Sequence, residues 1–396
     1  MLYHNSYDTF ADCFVSTVDA LGESPIVEVK GVKTRELLNY HAVVRQGMSR
    51  NFILPHRHDN PFAKMFESLW VLSGRNDIGL LKTYLPRAAN FSDDGHTWRA
   101  GYGPRLRSWK KPIVKSHYTS GAIVGVNLMS YEGIDQLQNI HDALKADPYT
   151  RQAVATIWNP AEDWVTSKDI PCNNWLHFVQ RNGKLHLNVS VRSNDVWWGF
   201  SGINFYEWSF ILQVMAHSLG FEVGEISWNA TSMHMYERHW AQAQNMVERV
   251  DDYPCDRLSN FSKLNVEPWL DFQSSIDVAD GMLGELTYVQ LAPYSHNVNY
   301  DFTKGYLFKS MKFWLHAYML IELTRECKYR EDDLVDWFET CMPFATSSDQ
   351  SVTCVAYLNR QLPKTNLTCT PRLLEIINNA LPEVHAFIKD VNMSII

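Results

Sequence analysis

The run from Lys184 to Arg192, KLHLNVSVR, constrains the fold more than any other stretch of the chain. Leu185, Leu187, Val189 and Val191 alternate with His186, Asn188, Ser190 and Arg192, the period of two expected for a strand with one buried face. Asn182-Gly183 precedes it, and both residues tolerate the positive φ that a two-residue hairpin turn demands. Asn174 to Gln180 reads as the partner strand. With the turn at Asn182-Gly183, counting outward sets Asn173 opposite Arg192 and Cys172 opposite Ser193. Strict alternation puts Cys172 and Arg192 on opposite faces, so aiming both at one ligand requires a bulge or a strand end. A guanidinium beside the thiol is expected to lower its pKa and to hold an anion such as phosphate.

A lone cysteine is ordinarily a small buried hydrophobe, and it is the neighbours of Cys172 that point to chemistry. Pro171-Cys172, Arg192-Ser193-x-Asp195, an asparagine within the next ten residues and His234-x-Tyr236 follow in order. Upstream stand Glu67-x-Leu69-Trp70-x-Leu72-x-Gly74, Tyr102-Gly103 followed by Trp109, and Asp147-Pro148-x-x-Arg151 leading into Trp158-Asn159-Pro160. Over roughly Thr34 to Trp240 these motifs resemble, in order and spacing, the active-site signature of the thymidylate synthase family. The resemblance implies an α+β fold with a mixed, bulged sheet packed against helices.

What the resemblance implies for chemistry is specific. In that family a cysteine thiolate adds to C6 of a pyrimidine nucleotide, and C5 then takes a one-carbon unit from 5,10-methylenetetrahydrofolate, a covalent route that divides a hard substitution into easier steps. Carried over by position, Cys172 is the nucleophile, Glu67 organises water and shuttles protons, and Tyr102 and Asn204 complete the catalytic set. Arg192 and Ser193 bind the nucleotide phosphate, Arg35 in Val32-Lys33-Thr34-Arg35-Glu36 stands in for the arginine of the synthase arginine loop, and Arg151 reaches the phosphate from the partner subunit of a homodimer. His234 and Tyr236 hold the 3′-hydroxyl, while Asp195 and Trp70 contact the folate. Residue by residue the ordinary alternatives are plain: Glu67 in an apolar helical run would face solvent, His234 and Tyr236 share a strand face as a packing pair, Arg151 sits solvated in a turn, and Asn204 caps the helix that follows it.

Departures from the synthase pattern bear on which reaction is run. Asn173 follows the cysteine where synthases carry histidine, Gln152 stands where a second arginine is usual, and Pro86 to Gly95 offers Ala88, Ala89 and Phe91 where synthases place tryptophans. Such an indole covers the reactive methylene and keeps water away. Without it, water rather than hydride completes the reaction and leaves a hydroxymethyl group, as in the phage enzymes of this family that make modified DNA precursors. The short apolar closing tail of synthases has no clear match at Asn392 to Ile396. Asn204, displaced by one residue from the synthase spacing, donates to O4 and accepts from N3–H of uracil in this reading, so the expected substrate is dUMP. A site whose polar groups match one base rejects another by on the order of 10⁴-fold in favourable cases. Competing readings are the same chemistry on dCMP or CMP, a thymidylate synthase proper, and a non-catalytic nucleotide-binding or assembly protein.

Composition agrees with this reading. The chain has 396 residues, seven cysteines and a net charge of −8. An odd cysteine count without metal-type spacing predicts free thiols in a reducing compartment, hence a cytoplasmic protein, the host's cytoplasm if phage-encoded. The charge argues against a broad nucleic-acid surface, and the apolar runs are too interrupted for a membrane span or signal peptide. Residues 1–30 read as an N-terminal addition with a helix from Phe10 to Leu21, residues 31–292 as the catalytic domain, and residues 293–396 as a helical C-terminal extension. Strand signals lie at 26–31 and 37–45. Helices are expected at 61–74, 133–145, 205–219, Leu307 to Arg325, 331–341, 348–361 and 371–388.

Overall fold

The computed structural model describes residues 3–119, 122–250, 258, 260–266, 270–295 and 307–390. Their centre is a mixed sheet of seven strands: β1 (Tyr3–Tyr7), β2 (Ile26–Val29), β3 (Val32–Val44), β6 (Val154–Thr156), β7 (Asn173–Arg181), β8 (Lys184–Asp195) and β9 (Glu222–Tyr236), while β4 (Trp109–Thr119) and β5 (Ala122–Ile134) form a separate hairpin. Across the sheet the order is β1-β3-β9-β8-β7-β6, with β2 paired to β3. β1 runs parallel to β3 and β8 parallel to β9; the other pairs are antiparallel. The expected strand at 26–31 is a hairpin instead, because Lys30 (φ 52°) and Gly31 (φ 78°) adopt the left-handed conformations of a two-residue turn. Asn182 (φ 54°) and Gly183 (φ 79°) form the turn that the sequence marks.

From Arg181↔Lys184 to Trp175↔Ser190 the β7–β8 ladder keeps the expected register. A bulge between Asn173 and Trp175 then shifts it by one, so Asn173 pairs with Val191, and the Arg192 amide donates to the Cys172 carbonyl at 2.9 Å. Cys172 therefore lies opposite Arg192, not Ser193. The same phase change runs across three neighbouring strands. Buried positions switch parity between Asn173 and Leu176 in β7, between Val191 and Asn194 in β8, and between Ala230 and Met233 in β9. Because the side-chain period is two, this one-residue slip exchanges the faces of everything beyond it.

Two helices pack on the buried face and are themselves enclosed. Pro61–Leu72 starts where the Asn60 side chain accepts from the Phe62 and Ala63 amides, a cap reinforced by proline at the first helical position. All of its residues are buried. Phe205–Ser218 is buried from Phe205 to Ala216. The C-terminal helices close over them: Phe62 stacks on Tyr318 at 4.5 Å, Tyr84 Oη donates to the Leu315 carbonyl at 2.9 Å, and Tyr206 Oη donates to Gln350 at 3.1 Å. Leu307–Arg325, Glu331–Cys341 and Asp349–Gln361 fall where periodicity places them. The expected helix at 371–388 is two, Thr370–Ala380 and Pro382–Asp390, since Pro382 can open a helix but not continue one. At the other end, Phe10–Gly22 packs into the same core, Phe10 stacking on Phe205 at 3.7 Å. Phe272–Leu291 and the β4–β5 hairpin were not foreseen from the sequence. The tail Asn392 to Ile396 lies outside the described residues.

Candidate active site

The aligned phase changes of β7, β8 and β9 gather the motif residues at one end of the sheet. Arg192 Nη2 stands 3.8 Å from Cys172 Sγ. Its guanidinium is fixed by donating to the Pro171 carbonyl at 2.9 Å and the Ile170 carbonyl at 3.2 Å, with Trp158 against its plane at 5.7 Å. The thiol is half-buried, and its pKa is raised: burial pushes it up more strongly than Arg192 pulls it down, with Asp169 and Asp195 adding to the rise. The expected lowering by the guanidinium is thus present but outweighed, since desolvation disfavours the thiolate. An anion bound at Arg192 would offset part of that guanidinium's pull.

Asn173, directly after the cysteine, is fully buried and wired from both ends. Its Nδ2 donates to Tyr102 Oη at 2.7 Å, and Trp208 Nε1 donates to its Oδ1 at 3.1 Å. Tyr102 is held by burial in its neutral phenol form. Ser193 pairs with Ser232 and Asp195 with His234 across β8 and β9. His234 and Tyr236, both half-buried, meet edge to face at 5.2 Å, so they share a face as their spacing predicts. Burial lowers the His234 pKa, against the pull of Asp195 and Glu36, which favours the neutral ring. Asp195 Oδ1 accepts from the Trp197 amide at 2.9 Å, and Arg238 Nη2 stands 3.8 Å from Asp195 Oδ2.

A π-helical segment, Val196–Asn204, follows Asp195. Such a segment accommodates an extra residue in the chain, and Asn204, displaced by one from the expected spacing, stands at its end. Asn204 occupies the N-cap position of Phe205–Ser218 yet makes no capping bond with its side chain. The helix cap is not its role. Its Nδ2 donates instead to Glu207 Oε2 at 3.4 Å.

Glu67 does not face solvent. It is 7 % exposed, and its Oε2 has no hydrogen-bond partner among the described residues. Burial, helped by the nearby charge of Asp169, pushes its pKa up to about 8. Phe62, Met65, Phe66, Leu69 and Leu72 are buried in the same helix, at roughly 1.5–3 kcal/mol each, enough to hold the helix inward despite a carboxyl group that must then stay protonated. Glu207 is a second such group, and the motifs did not mark it. It is fully buried, its Oε1 is unpartnered, and burial together with Glu67 drives its pKa well above the usual range. One signal was available: Glu207 is the lone charge in the run from Phe205 to Ala216, three residues beyond Asn204.

Other expected residues stand apart from this cluster. Arg35 pairs with Met235, donates to the Ser24 carbonyl at 3.4 Å and lies over Trp240 at 5.1 Å. Arg151 is exposed and its guanidinium has no partner among the described residues. Trp70 is buried, with Nε1 donating to the Asp77 carbonyl at 2.9 Å. Ala88 is buried while Ala89 and Phe91 are exposed, in the short turn Pro86–Phe91. An indole does stand beside that turn: Trp98 Nε1 donates to the Ala88 carbonyl at 2.8 Å, and its ring meets Trp70 edge to face at 5.6 Å.

The arrangement is a half-buried thiol beside a fixed guanidinium, with the buried amide of Asn173 next in sequence and two buried carboxyl groups, Glu67 and Glu207, whose pKa values burial raises. Residues 26–277 match the family model described as thymidylate synthase, and the chain belongs to that family. Among curated relatives it is 40 % identical over 239 residues to a protein of Bacillus phage SP01 named deoxyuridylate hydroxymethyltransferase, covering 60 % of this chain and 59 % of that one. A protein of the same name from Delftia phage PhiW-14 is 29 % identical, with 50 % and 52 % covered. A thymidylate synthase of Vesicomyosocius okutanii is 25 % identical, with 52 % and 72 % covered. The chain thus spans about half to six tenths of the length of the phage relatives. No described helix is long and apolar enough to cross a membrane.

Proposed function

We propose that this chain is a deoxyuridylate hydroxymethylase. It converts dUMP, 5,10-methylenetetrahydrofolate and water into 5-hydroxymethyl-dUMP and tetrahydrofolate, a balance in which C5 exchanges its hydrogen for CH2OH. The observation that carries the reading is the Cys172 thiol 3.8 Å from the fixed Arg192 guanidinium; Glu67 adds a buried carboxyl group with an unpartnered oxygen. The names of the phage relatives support it. Cys172 Sγ bonds to C6 of the base. Glu67, with a pKa near 8, holds a proton at neutral pH and relays it through water at the ring.

Arg192 and Ser193 take the phosphate, where a forked donor beside a hydroxyl suits a tetrahedral anion. Arg35, on its present partners, reaches the phosphate only after leaving the Ser24 carbonyl. His234 and Tyr236 take the 3′-hydroxyl, and Asn204 reads the base. Asp195 contacts the folate, and Trp70, buried against Trp98, acts on it only through that indole. Arg151, exposed in one protomer, completes the phosphate site of a partner in a homodimer. Tyr102, kept neutral and tied to Asn173, orders water near the thiol. In the turn Pro86–Phe91 only the small side chain of Ala89 is exposed of the two alanines, and in this reading it leaves room for water at the C5-bound methylene.

Incubating the protein with dUMP or dCMP and methylenetetrahydrofolate, then weighing the product, tests the reading. A dUMP product heavier by CH2O is expected. A methyl product with dihydrofolate release would overturn it and assign the covering role to Trp98; conversion of dCMP alone would overturn the base assignment.

A further inference from the structure

Asn204 by itself does not distinguish uracil from cytosine. Its amide carries a donor and an acceptor on one planar group. With Nδ2 toward position 4 and Oδ1 toward N3 it matches uracil, whose O4 accepts and whose N3–H donates. Rotated by half a turn it matches cytosine, whose 4-amino group donates and whose N3 accepts. Selectivity therefore requires something that fixes the rotation.

Glu207 is placed to do so. It follows Asn204 by three residues, so that the two side chains share one face of the helix, and its Oε2 accepts from Asn204 Nδ2 at 3.4 Å. Asn204 Oδ1 makes no hydrogen bond among the described residues, and Gly199 lets the Asn204 and Asn194 amides approach the chain there: a Cβ at 199 would lie 2.6 Å from Asn194 Nδ2 and 3.4 Å from Asn204 Oδ1. One Nδ2 hydrogen remains for O4, and Oδ1 remains for N3–H. A neutral Glu207 keeps this role with its proton on the unpartnered Oε1, which leaves Oε2 an acceptor; a proton on Oε2 would suit the rotated amide instead, so the lock requires Oε2 to stay the acceptor. A buried carboxyl group inside an apolar helix is costly to the fold, and neither capping nor an ion pair among the described residues accounts for it.

We propose that Glu207 is a positioning residue for base selection: by accepting from Nδ2 it locks the Asn204 amide in the orientation that fits uracil. This rests on the reading of Asn204 as the base-reading residue of a dUMP enzyme. Glutamine at 207 has nearly the same shape but turns either its oxygen or its nitrogen toward Asn204, so both amide orientations become satisfied. Methionine removes the acceptor altogether while filling the space.

The test is the ratio of kcat/KM for dUMP to that for dCMP in wild type, Glu207→Gln, Glu207→Met and Asn204→Asp. The ratio is expected to fall at least tenfold in both Glu207 variants, with turnover of dCMP rising. Loss of packing alone would lower both substrates together and leave the ratio in place, so an unchanged ratio in either folded variant overturns the proposal. If one variant fails to fold, the other decides. Should wild type act on dUMP and Asn204→Asp shift preference to dCMP while the Glu207 variants keep the wild-type ratio, only the role of Glu207 falls. Should wild type not act on dUMP, the functional reading falls with it.

Discussion

Replacing Glu67 by glutamine should change how stability depends on pH, and the structure sets the size of the change. In the unfolded chain this carboxyl group titrates at its ordinary value of 4.5; in the folded protein burial moves it to about 8. Between those values the folded state binds the proton more tightly. Stability is therefore fully present below pH 4.5 and falls as pH rises toward 8, levelling off above it. At about 1.4 kcal/mol for each tenfold change in proton concentration, the interval amounts to on the order of 5 kcal/mol, a third or more of a typical domain's stability. Glutamine cannot ionise, so Glu67→Gln should lack this slope. The assay is urea unfolding of both proteins at intervals from pH 5 to pH 9. The variant is expected to gain on wild type steadily with pH, by several kcal/mol in total. A wild-type-minus-variant difference that stays constant from pH 5 to pH 9 would refute the account of Glu67 as a carboxyl group held neutral by burial.

Three further outcomes follow from the geometry. Mixing inactive Cys172→Ala with inactive Arg151→Ala protein should restore part of the activity through hybrid dimers, and no recovery after verified subunit exchange would count against a shared site. Trp208→Phe removes the donor to Asn173 Oδ1 and leaves a buried acceptor unsatisfied, which should cost about 1–3 kcal/mol; a melting temperature equal to wild type would show that another donor takes over. Gly183→Ala meets no atom within 4 Å, so only its φ of 79° is penalised, by roughly 1–2 kcal/mol; a loss far above that in chemical denaturation would mean the turn is packed rather than merely bent.

Much of the fold was legible because its signals are local. Asn182-Gly183 fixed the hairpin, and the alternation from Leu185 to Val191 fixed its buried face. The long apolar runs at Pro61, Phe205 and Leu307 marked helices to within a residue or two of their observed ends. Residues whose neighbours in sequence are also their neighbours in space could be paired on paper, as His234 and Tyr236 were. Illegible were the elements whose reason lies elsewhere in the chain: Phe272–Leu291, β1, and the hairpin of β4 and β5.

The site divides in the same way. The sequence by itself determined its inventory, namely the thiol, the arginine, the amide and the His-x-Tyr pair, because the order and spacing of these groups are covalent facts. It also determined that Cys172 and Arg192 could share a ligand only across an irregularity in the ladder. Tertiary structure decided where that irregularity falls, by aligning phase changes in β7, β8 and β9. It also decided the protonation of the site. Whether Arg192 or burial governs the Cys172 thiol, and whether Glu67 and Glu207 carry protons at neutral pH, depends on how much water remains around each group. That quantity is set by elements distant in sequence, such as Leu307–Arg325, whose Tyr318 stacks on Phe62 of the helix bearing Glu67, and no local pattern of residues contains it.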